Sequence, residues 1–159
     1  MVWVKMRFYR ESTDLMKILI VTAIIALTST VAAADQATYN KYMEVFNLAS
    51  NCIGFGDNLE GIYFEEMVEV LGEDTAIEVM DVRMSALVRA TSLFVEVPLK
   101  SSMNKIWKQR FKNNANIASG QLDGQDHGRS TYNAVGLEAT VIKFFEQCKK
   151  QTWLDLVTP

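Results

Sequence analysis

The chain has 159 residues and a net charge of −3, and 49% of its residues are hydrophobic. A chain of this size fits a single domain that is large enough for a real core. The negative charge disfavours nucleic-acid binding, because neutralising phosphates requires a basic surface.

An export signal is the first feature along the chain. Residues Ile18–Ala34 carry no charge and are mostly apolar, and Lys17 directly precedes them. Ala32 and Ala34 are small, as the signal peptidase requires before a cut in front of Asp35. An uncleaved anchor is the alternative, but a spanning helix needs about 20 apolar residues and this run includes a Thr, Ser and Ala tail. We therefore expect cleavage between Ala34 and Asp35, and a periplasmic or secreted protein with no stable membrane span.

Residues 1–15 fit poorly with that signal, because Glu11 and Asp14 lie upstream of a normal signal start at Met16. We expect translation to begin at Met16. The alternative is a long n-region whose positive charge comes from the bases among residues 1–15. The signal peptide then lies within residues 1–34, and the mature chain is a single helical domain, residues 35–159, with a net charge of −5.

Cys52 and Cys148 are the two cysteines of the chain. In an oxidising compartment such a pair usually forms a disulfide, and closing a loop of about 97 residues stabilises a fold by about 4.7 kcal/mol. A thiol nucleophile or metal ligand is the alternative, but neither cysteine has a second Cys or a His at ligand spacing. We therefore expect a disulfide, and neither a metal nor a cofactor.

Apolar residues recur at every third or fourth position, which is typical of amphipathic helices. Gly54, Gly56 and Asp57-Asn58 should weaken or end a first helix, and a short second helix over 62–71 should stop at Gly72. Asp74 or Thr75 should cap a third helix, which Pro98 should end or kink. The stripe of the first helix is Tyr39, Tyr42, Met43, Phe46, Ala49 and Ile53, and the core stripe of the third is Ile77, Met80, Met84, Leu87, Val88, Thr91 and Val95.

The remaining chain predicts two further helices and a loop. Ser101 or Ser102 should cap a fourth helix, with Met103, Ile106, Trp107 and Phe111 on its core side. Residues 113–129 are glycine-rich and polar, which predicts a long loop. Ser130 or Thr131 should cap a last helix that ends near Cys148, with Tyr132, Val135, Ala139, Ile142 and Phe145 on the same face. The sequence therefore predicts an all-α, compact bundle of about five helices in which one disulfide joins the first and last helices.

Charge is unevenly distributed along the mature chain. Residues 57–81 contain nine acids and no base, and residues 100–112 contain five bases and no acid. The favoured interpretation is two solvated helix faces that attract each other in the fold. The alternative is a pair of partner-binding surfaces of opposite sign.

No catalytic residue is predicted. Asp126, His127 and Ser130 lie close in sequence, but a hydrolytic triad must converge in space on a rigid turn, so a surface histidine is favoured. Glu65, Glu66 and Glu69 have the spacing of one solvated helix face and nothing that marks a glycosidase carboxylate pair. The long loop is the predicted recognition element, and the candidate partner-binding residues are Asp126, His127, Arg129 and Trp107, with Trp153 as a second aromatic anchor.

Several short motifs resemble a family of small periplasmic immunity proteins, which protect bacteria from amidase toxins delivered by type VI secretion. They are Cys52-Ile53-Gly54-Phe55 followed by Gly61, Val97-Pro98, Ser101-Ser102, and the helix end Phe144-Phe145-Glu146-Gln147-Cys148. The similarity spans residues 50–150 approximately. It implies a helical, disulfide-linked protein that blocks the active-site groove of an enzyme with a loop or helix end.

Two classes of function remain. The first is an exported, non-enzymatic binding protein, such as an immunity or inhibitor protein whose partner is a secreted enzyme. The second is a small-ligand carrier with a cavity between its helices, or an enzyme with an unrecognised site. A homodimer is compatible with either.

Overall fold

The computed structural model describes the backbone of residues 3–149 and the side chains of residues 32–149. Residues 1–37 and residues 38–159 form two units. The first contains the N-terminal part of α1, and the features below belong to the second. The regular elements of the described chain are all helices, which confirms the predicted all-α bundle: α1 Trp3–Leu71, α2 Glu73–Lys100, α3 Lys105–Asn114, α4 Ile117–Val135 and α5 Leu137–Cys148.

A disulfide joins Cys52 of α1 to Cys148 at the end of α5, as predicted. The S–S distance is 2.04 Å, and the two Cα atoms are 5.7 Å apart. Both cysteines are buried. Beside them, the Gln147 side-chain amide donates a hydrogen bond of 2.9 Å to Oδ1 of Asn51. The chain's last described helix is therefore fixed to its first by a covalent bond and a hydrogen bond.

Residues 45–59 of α1 form the centre of the bundle. The rings of Phe46 and Phe111 meet edge to face at 5.7 Å, which joins α1 to α3. Phe55 and Phe144 meet in the same way at 5.4 Å, which joins α1 to α5. All four rings are fully buried. Edge-to-face packing suits the ring quadrupole and gives each contact a preferred geometry.

The predicted break after the first helix is wrong, because α1 continues through Gly54 and Gly56. Both glycines lie where another helix comes too close for a side chain. A Cβ on Gly54 would be 1.7 Å from the carbonyl oxygen of Gln121, and one on Gly56 would be 2.7 Å from Cβ of Arg83. These glycines therefore permit close packing and do not end the helix.

The predicted loop over 113–129 is also wrong, because most of it is α4. The break lies at Ala115 and Asn116, and the Asn116 side chain caps α4 by accepting a hydrogen bond from the amide of Ser119. Gly120, Gly124 and Gly128 lie four residues apart, on the one face of α4 that packs on α1. Their spacing is a helix signal that the polar composition of the segment concealed.

Glycines also form two of the helix junctions. Gly72 separates α1 from α2 with φ of 89°, and Gly136 separates α4 from α5 with φ of 79°. A backbone in this left-handed region favours glycine, which has no Cβ to clash. The predicted stop at Gly72 is confirmed.

The predicted side-chain caps are wrong at three helix starts. Asn104 caps α3, and glycine precedes α2 and α5 without any side-chain cap. The residues predicted for these roles were Asp74, Thr75, Ser101, Ser102, Ser130 and Thr131.

Pro98 lies within α2, which ends two residues later at Lys100. Proline removes one amide donor, but the helix closes its last turn with a hydrogen bond of 3.3 Å from the Ser101 amide to the Val97 carbonyl. The predicted end at Pro98 is thus displaced by only part of a turn.

The predicted core face of α2 is wrong. Its buried side chains are Ala76, Val79, Ala86, Ala90, Leu93 and Val97. The larger residues predicted to face the core point to solvent instead, among them Ile77, Met84, Val88 and Val95. Small residues let α2 lie close to the bundle, whereas the periodicity alone could not distinguish two apolar stripes on one helix. Ile106 of α3 and Ile142 of α5, also predicted to be buried, are exposed as well.

Within residues 32–149, whose side chains the structure describes, no helical segment is both long enough and apolar enough to cross a membrane. The predicted cleavage site, Ala34–Asp35, lies within α1. The side chains of the apolar run up to Val31, and Trp153, lie outside the described residues.

We expect the disulfide to contribute a large share of the stability. Replacing both Cys52 and Cys148 by Ala should lower the free energy of unfolding by about 4–5 kcal/mol, because the unfolded chain gains the freedom of a long loop. Urea unfolding with and without a reducing agent measures this. The double variant is the control, since reducing agent should leave its curve unchanged. An unaltered wild-type curve under reduction would contradict the assignment.

A matched pair of glycines tests the close contact between α1 and α4. In Gly124→Ala the new Cβ would lie 1.9 Å from the carbonyl oxygen of Asn51, and we expect the free energy of unfolding to fall by about 3 kcal/mol. In Gly61→Ala the new Cβ meets nothing within 4 Å, and we expect a gain of about 0.5–1 kcal/mol because alanine favours a helix interior. Equal effects in urea unfolding would contradict this packing.

Candidate functional site

Helix α3 is short and strongly basic. Its sequence, Lys105–Asn114, contains Lys105, Lys108, Arg110 and Lys112 and no acid. The helix starts because Oδ1 of Asn104 accepts hydrogen bonds from the amides of residues 106 and 107, at 3.0 and 3.2 Å. The buried Phe111 fixes it to the core. One residue therefore anchors a helix whose other faces carry charge.

Aromatic rings hold Arg110 in place on this helix. The Tyr39 and Trp107 rings are 5.1 Å apart. The Arg110 guanidinium lies 5.0 Å from the Trp107 ring centre and 5.6 Å from that of Tyr39. Asn114 donates a hydrogen bond of 2.8 Å to the Tyr39 hydroxyl. These cation–π contacts restrict the arginine side chain while leaving its charge at the surface.

An open groove runs along the same side of α3. Its lining includes Lys105, Ile106, Arg110 and Asn114. Ile106 is 77% exposed, the highest exposure among the large hydrophobic side chains of the described chain. We call Tyr39, Lys105, Ile106, Trp107, Arg110 and Asn114 the α3 surface. It combines an exposed aliphatic side chain, two aromatic rings and positive charge.

The cations of α3 have no carboxylate partner in the part of the chain that the structure describes. The described ion pairs are formed instead by Arg83, Lys100 and Lys149. The predicted attraction between residues 57–81 and residues 100–112 is therefore not what neutralises this helix.

Much of the acidic segment has partners elsewhere in the fold. Arg83 of α2 contacts Asp57 at 3.1 Å and Glu60 at 2.6 Å. The side-chain amide of Gln121 donates to Asp57, and Lys149 pairs with Glu78. The partly buried contacts of Asp57 and Glu60 link α1 with α2 and α4, and the exposed pair of Lys149 and Glu78 links the end of α5 with α2. These contacts therefore stabilise the fold.

The partner-binding residues predicted in the supposed loop lie on α4. Asp126, His127 and Arg129 are all exposed. The His127 ring packs edge to face on Phe55 at 5.1 Å. Trp107 has its own partners, Tyr39 and Arg110, so the four predicted residues belong to two local environments. Trp107 is the one that lies in the α3 surface; sequence reasoning missed Tyr39, Ile106 and Arg110.

A tyrosine pair and a glutamate form a second cluster, between α1 and α4. The Tyr63 and Tyr132 rings stack with centres 3.9 Å apart. The Tyr132 hydroxyl donates one hydrogen bond that is shared between the two carboxylate oxygens of Glu66, at 2.9 and 3.1 Å. This hydrogen bonding, reinforced by desolvation and by the carboxylate charge, raises the pKa of Tyr132 above its ordinary value of 10.0. A raised pKa keeps the Tyr132 phenol protonated, so it is not available as a general base near neutral pH. Its hydroxyl also engages Glu66, the one candidate glutamate that has a described partner.

The described residues contain no group of three His, Cys, Asp or Glu side chains placed to hold a metal ion. Comparison with protein-family models, curated proteins and solved structures finds no match to this chain. The resemblance to amidase immunity proteins therefore stays a prediction.

We expect Glu66→Gln to lower the pKa of Tyr132 towards 10, because the charged hydrogen-bond acceptor is removed. Alkaline titration of tyrosine absorbance measures this, with Tyr132→Phe identifying the signal and Glu65→Gln as control. Since the folded pKa is raised, the contact stabilises the fold below pH 10 and is lost as pH rises through the folded value. An unchanged titration in Glu66→Gln would contradict this assignment.

Proposed function

We propose that this protein is an exported, non-enzymatic binding protein that captures an acidic protein through the α3 surface. The observation that supports this most directly is the unneutralised charge of α3 beside the exposed Ile106. Export is supported by the signal-like N-terminus and by the disulfide, which persists in oxidising compartments.

The charge of α3 is not neutralised within the described fold. Lys112 in the last turn suits the helix dipole, but Lys105 occupies the first helical position, where the dipole favours an acid. None of the four cations of α3 completes an ion pair within the described fold. A helix with unpaired cations is suited to a negatively charged partner, which it would attract over a Debye length of about 8–10 Å.

The composition of the α3 surface is that of a protein-binding hot spot. Tryptophan, tyrosine and arginine are the residue types that contribute most at such sites. The two rings restrict Arg110 before binding, so less side-chain entropy is lost when a partner docks. Ile106 supplies apolar area at the centre, where burial excludes water from the charged contacts.

Binding is better supported than the two alternatives. A carrier needs an enclosed apolar cavity, whereas the groove on α3 is open to solvent. An enzyme needs convergent groups with pKa values matched to proton transfer, and the raised pKa of Tyr132 moves that group away from this range. The narrower proposal is an inhibitor or immunity protein whose partner is a secreted enzyme, and it rests on the motif resemblance.

The test is capture of the partner from the exported fraction of the source cells by the tagged protein. We expect Ile106→Asp to reduce recovery by about tenfold or more, because it places a negative charge at the centre of the contact. Leu122→Asp is the matched control, since Leu122 is equally apolar and 62% exposed on α4. The partner should have an acidic surface, and binding should weaken with salt. Equal recovery with both variants would contradict the proposal.

A further inference from the structure

The outer face of α2 carries a line of large apolar side chains that no described helix covers. They are Ile77, Met84, Val88, Val95 and Leu99, and their exposed fractions lie between 46% and 73%. The spacing alternates between seven and four residues, so the side chains follow one side of the helix. Asp81 and Thr91, both exposed, occupy the gaps in this line. We call these seven residues the outer stripe.

The outer stripe has a different character from the face that α2 turns to its own core. The core face uses three alanines at positions 76, 86 and 90, whereas the outer stripe uses isoleucine, methionine, valine and leucine. A helix at the surface of a monomer normally has a polar outer face. A contiguous exposed apolar line of this kind marks a surface that is covered by another molecule.

The positions of the outer stripe follow the pattern of a coiled-coil seam. From Ile77 to Val95 the successive steps are four, three, four, three and four residues, counting the two polar positions. Such a seam packs side chains of one helix into the spaces of another when the helices cross at a shallow angle. The occupant that fits is therefore a second helix with the same kind of stripe.

The charges at the two ends of α2 indicate which helix packs on the outer stripe and in which direction it runs. The N-terminal end of α2 is acidic, with Glu73 and Asp74 in its first turn. The C-terminal end carries Lys100, which lies 3.4 Å from Glu96 in an exposed ion pair. A second copy of α2 in the parallel direction would place acids against acids. In the antiparallel direction each acidic end meets the end that carries Lys100.

The antiparallel arrangement also matches the stripe to itself. With a two-fold axis at the level of Ala86, each stripe residue from Ile77 to Val95 faces a residue of its own kind, apolar or polar, and Leu99 lies opposite Glu73 at the edge of the contact. The facing pairs are Ile77 with Val95, Met84 with Val88, and Asp81 with Thr91. The same register places Glu73 close to Lys100 of the second copy. We infer that this protein forms a homodimer through the outer stripe of α2, packed antiparallel against that of a second copy.

Sedimentation velocity across a dilution series tests the dimer. The measurement uses the protein in the form that its source cells produce. We expect a reversible dimer for the wild type. Val88→Glu should raise the dimer dissociation constant by about tenfold or more, because it places a charge in the apolar seam. Leu122→Glu, on α4, is the control and should leave the dimer intact. Both positions are exposed, so circular dichroism should show the same helix content in both variants.

Cross-linking tests the direction of packing. A variant with Ile77→Cys should form an intermolecular disulfide with a second variant carrying Val95→Cys when the two are mixed. Ile77→Cys alone should not cross-link to itself, because the two copies of residue 77 would lie about 27 Å apart along the axis at about 1.5 Å per residue. The native cysteines are buried and paired, and they should not interfere.

A monomer at every concentration would overturn the inference, as would a dimer that survives Val88→Glu. Self-cross-linking of Ile77→Cys would overturn the antiparallel arrangement. A different protein bound to the outer stripe, with this chain monomeric, would overturn it as well. These results are distinct from failure of the α3 surface, which Ile106→Asp tests separately.

Discussion

The close approach of α4 to α1 is the constraint on which the rest of the fold depends. Gly54 of α1 and Gly124 of α4 each lie against the backbone of the other helix, so neither position has space for a Cβ. This contact keeps α4 on the surface of α1 and thereby sets where α5 begins, after the left-handed Gly136. From there α5 runs back to the centre of α1, where Cys148 reaches Cys52. The disulfide thus links α5 to α1 in a bundle whose close packing of α4 on α1 depends on these glycines.

The same packing divides the charges of the molecule. Gly56 makes room for Arg83, which neutralises Asp57 and Glu60 at the contact between α1 and α2. Some acids of the 57–81 segment are in this way paired with bases within the described fold, while the bases of α3 are not paired with acids there. A charge contributes most to recognition when the fold does not already pair it. The contrast between these two segments is the reason to assign recognition to α3.

Part of this structure is predictable from the sequence, and the failures have physical causes. Helical periodicity and the cysteine pair predict an all-α bundle with a disulfide between its ends, because both signals are local to the residues concerned. The close contact that requires glycine at position 54 of α1 is made by Gln121, which is distant in sequence. A glycine that permits close packing and a glycine that ends a helix have the same local sequence signal.

The α3 surface is also only partly predictable from the sequence, because it is formed by residues that are distant along the chain. Trp107 is identifiable from its residue type alone, since tryptophan is enriched at interfaces. Tyr39 and Arg110 become part of the α3 surface only because the bundle brings the part of α1 around Tyr39 against α3. The spacing of Ile106 matches that of buried residues, so the sequence predicts it in the core. Only Phe111 of this short helix is fully buried, and Ile106 is exposed.

Helix α2 also has more apolar side chains than the core can bury, because they lie on two faces of the helix and only one face packs on the bundle. The stripe with alanines is buried because it lets the helices approach closely, and the bulkier stripe remains outside. In the proposed dimer the two copies of α2 run in opposite directions, each about 42 Å long for 28 residues at about 1.5 Å per residue. Because α3 follows the C-terminal end of α2, the two α3 surfaces then belong to opposite ends of the paired helices. Dimerisation through α2 would therefore leave both α3 surfaces available, so that one dimer could hold two acidic partners.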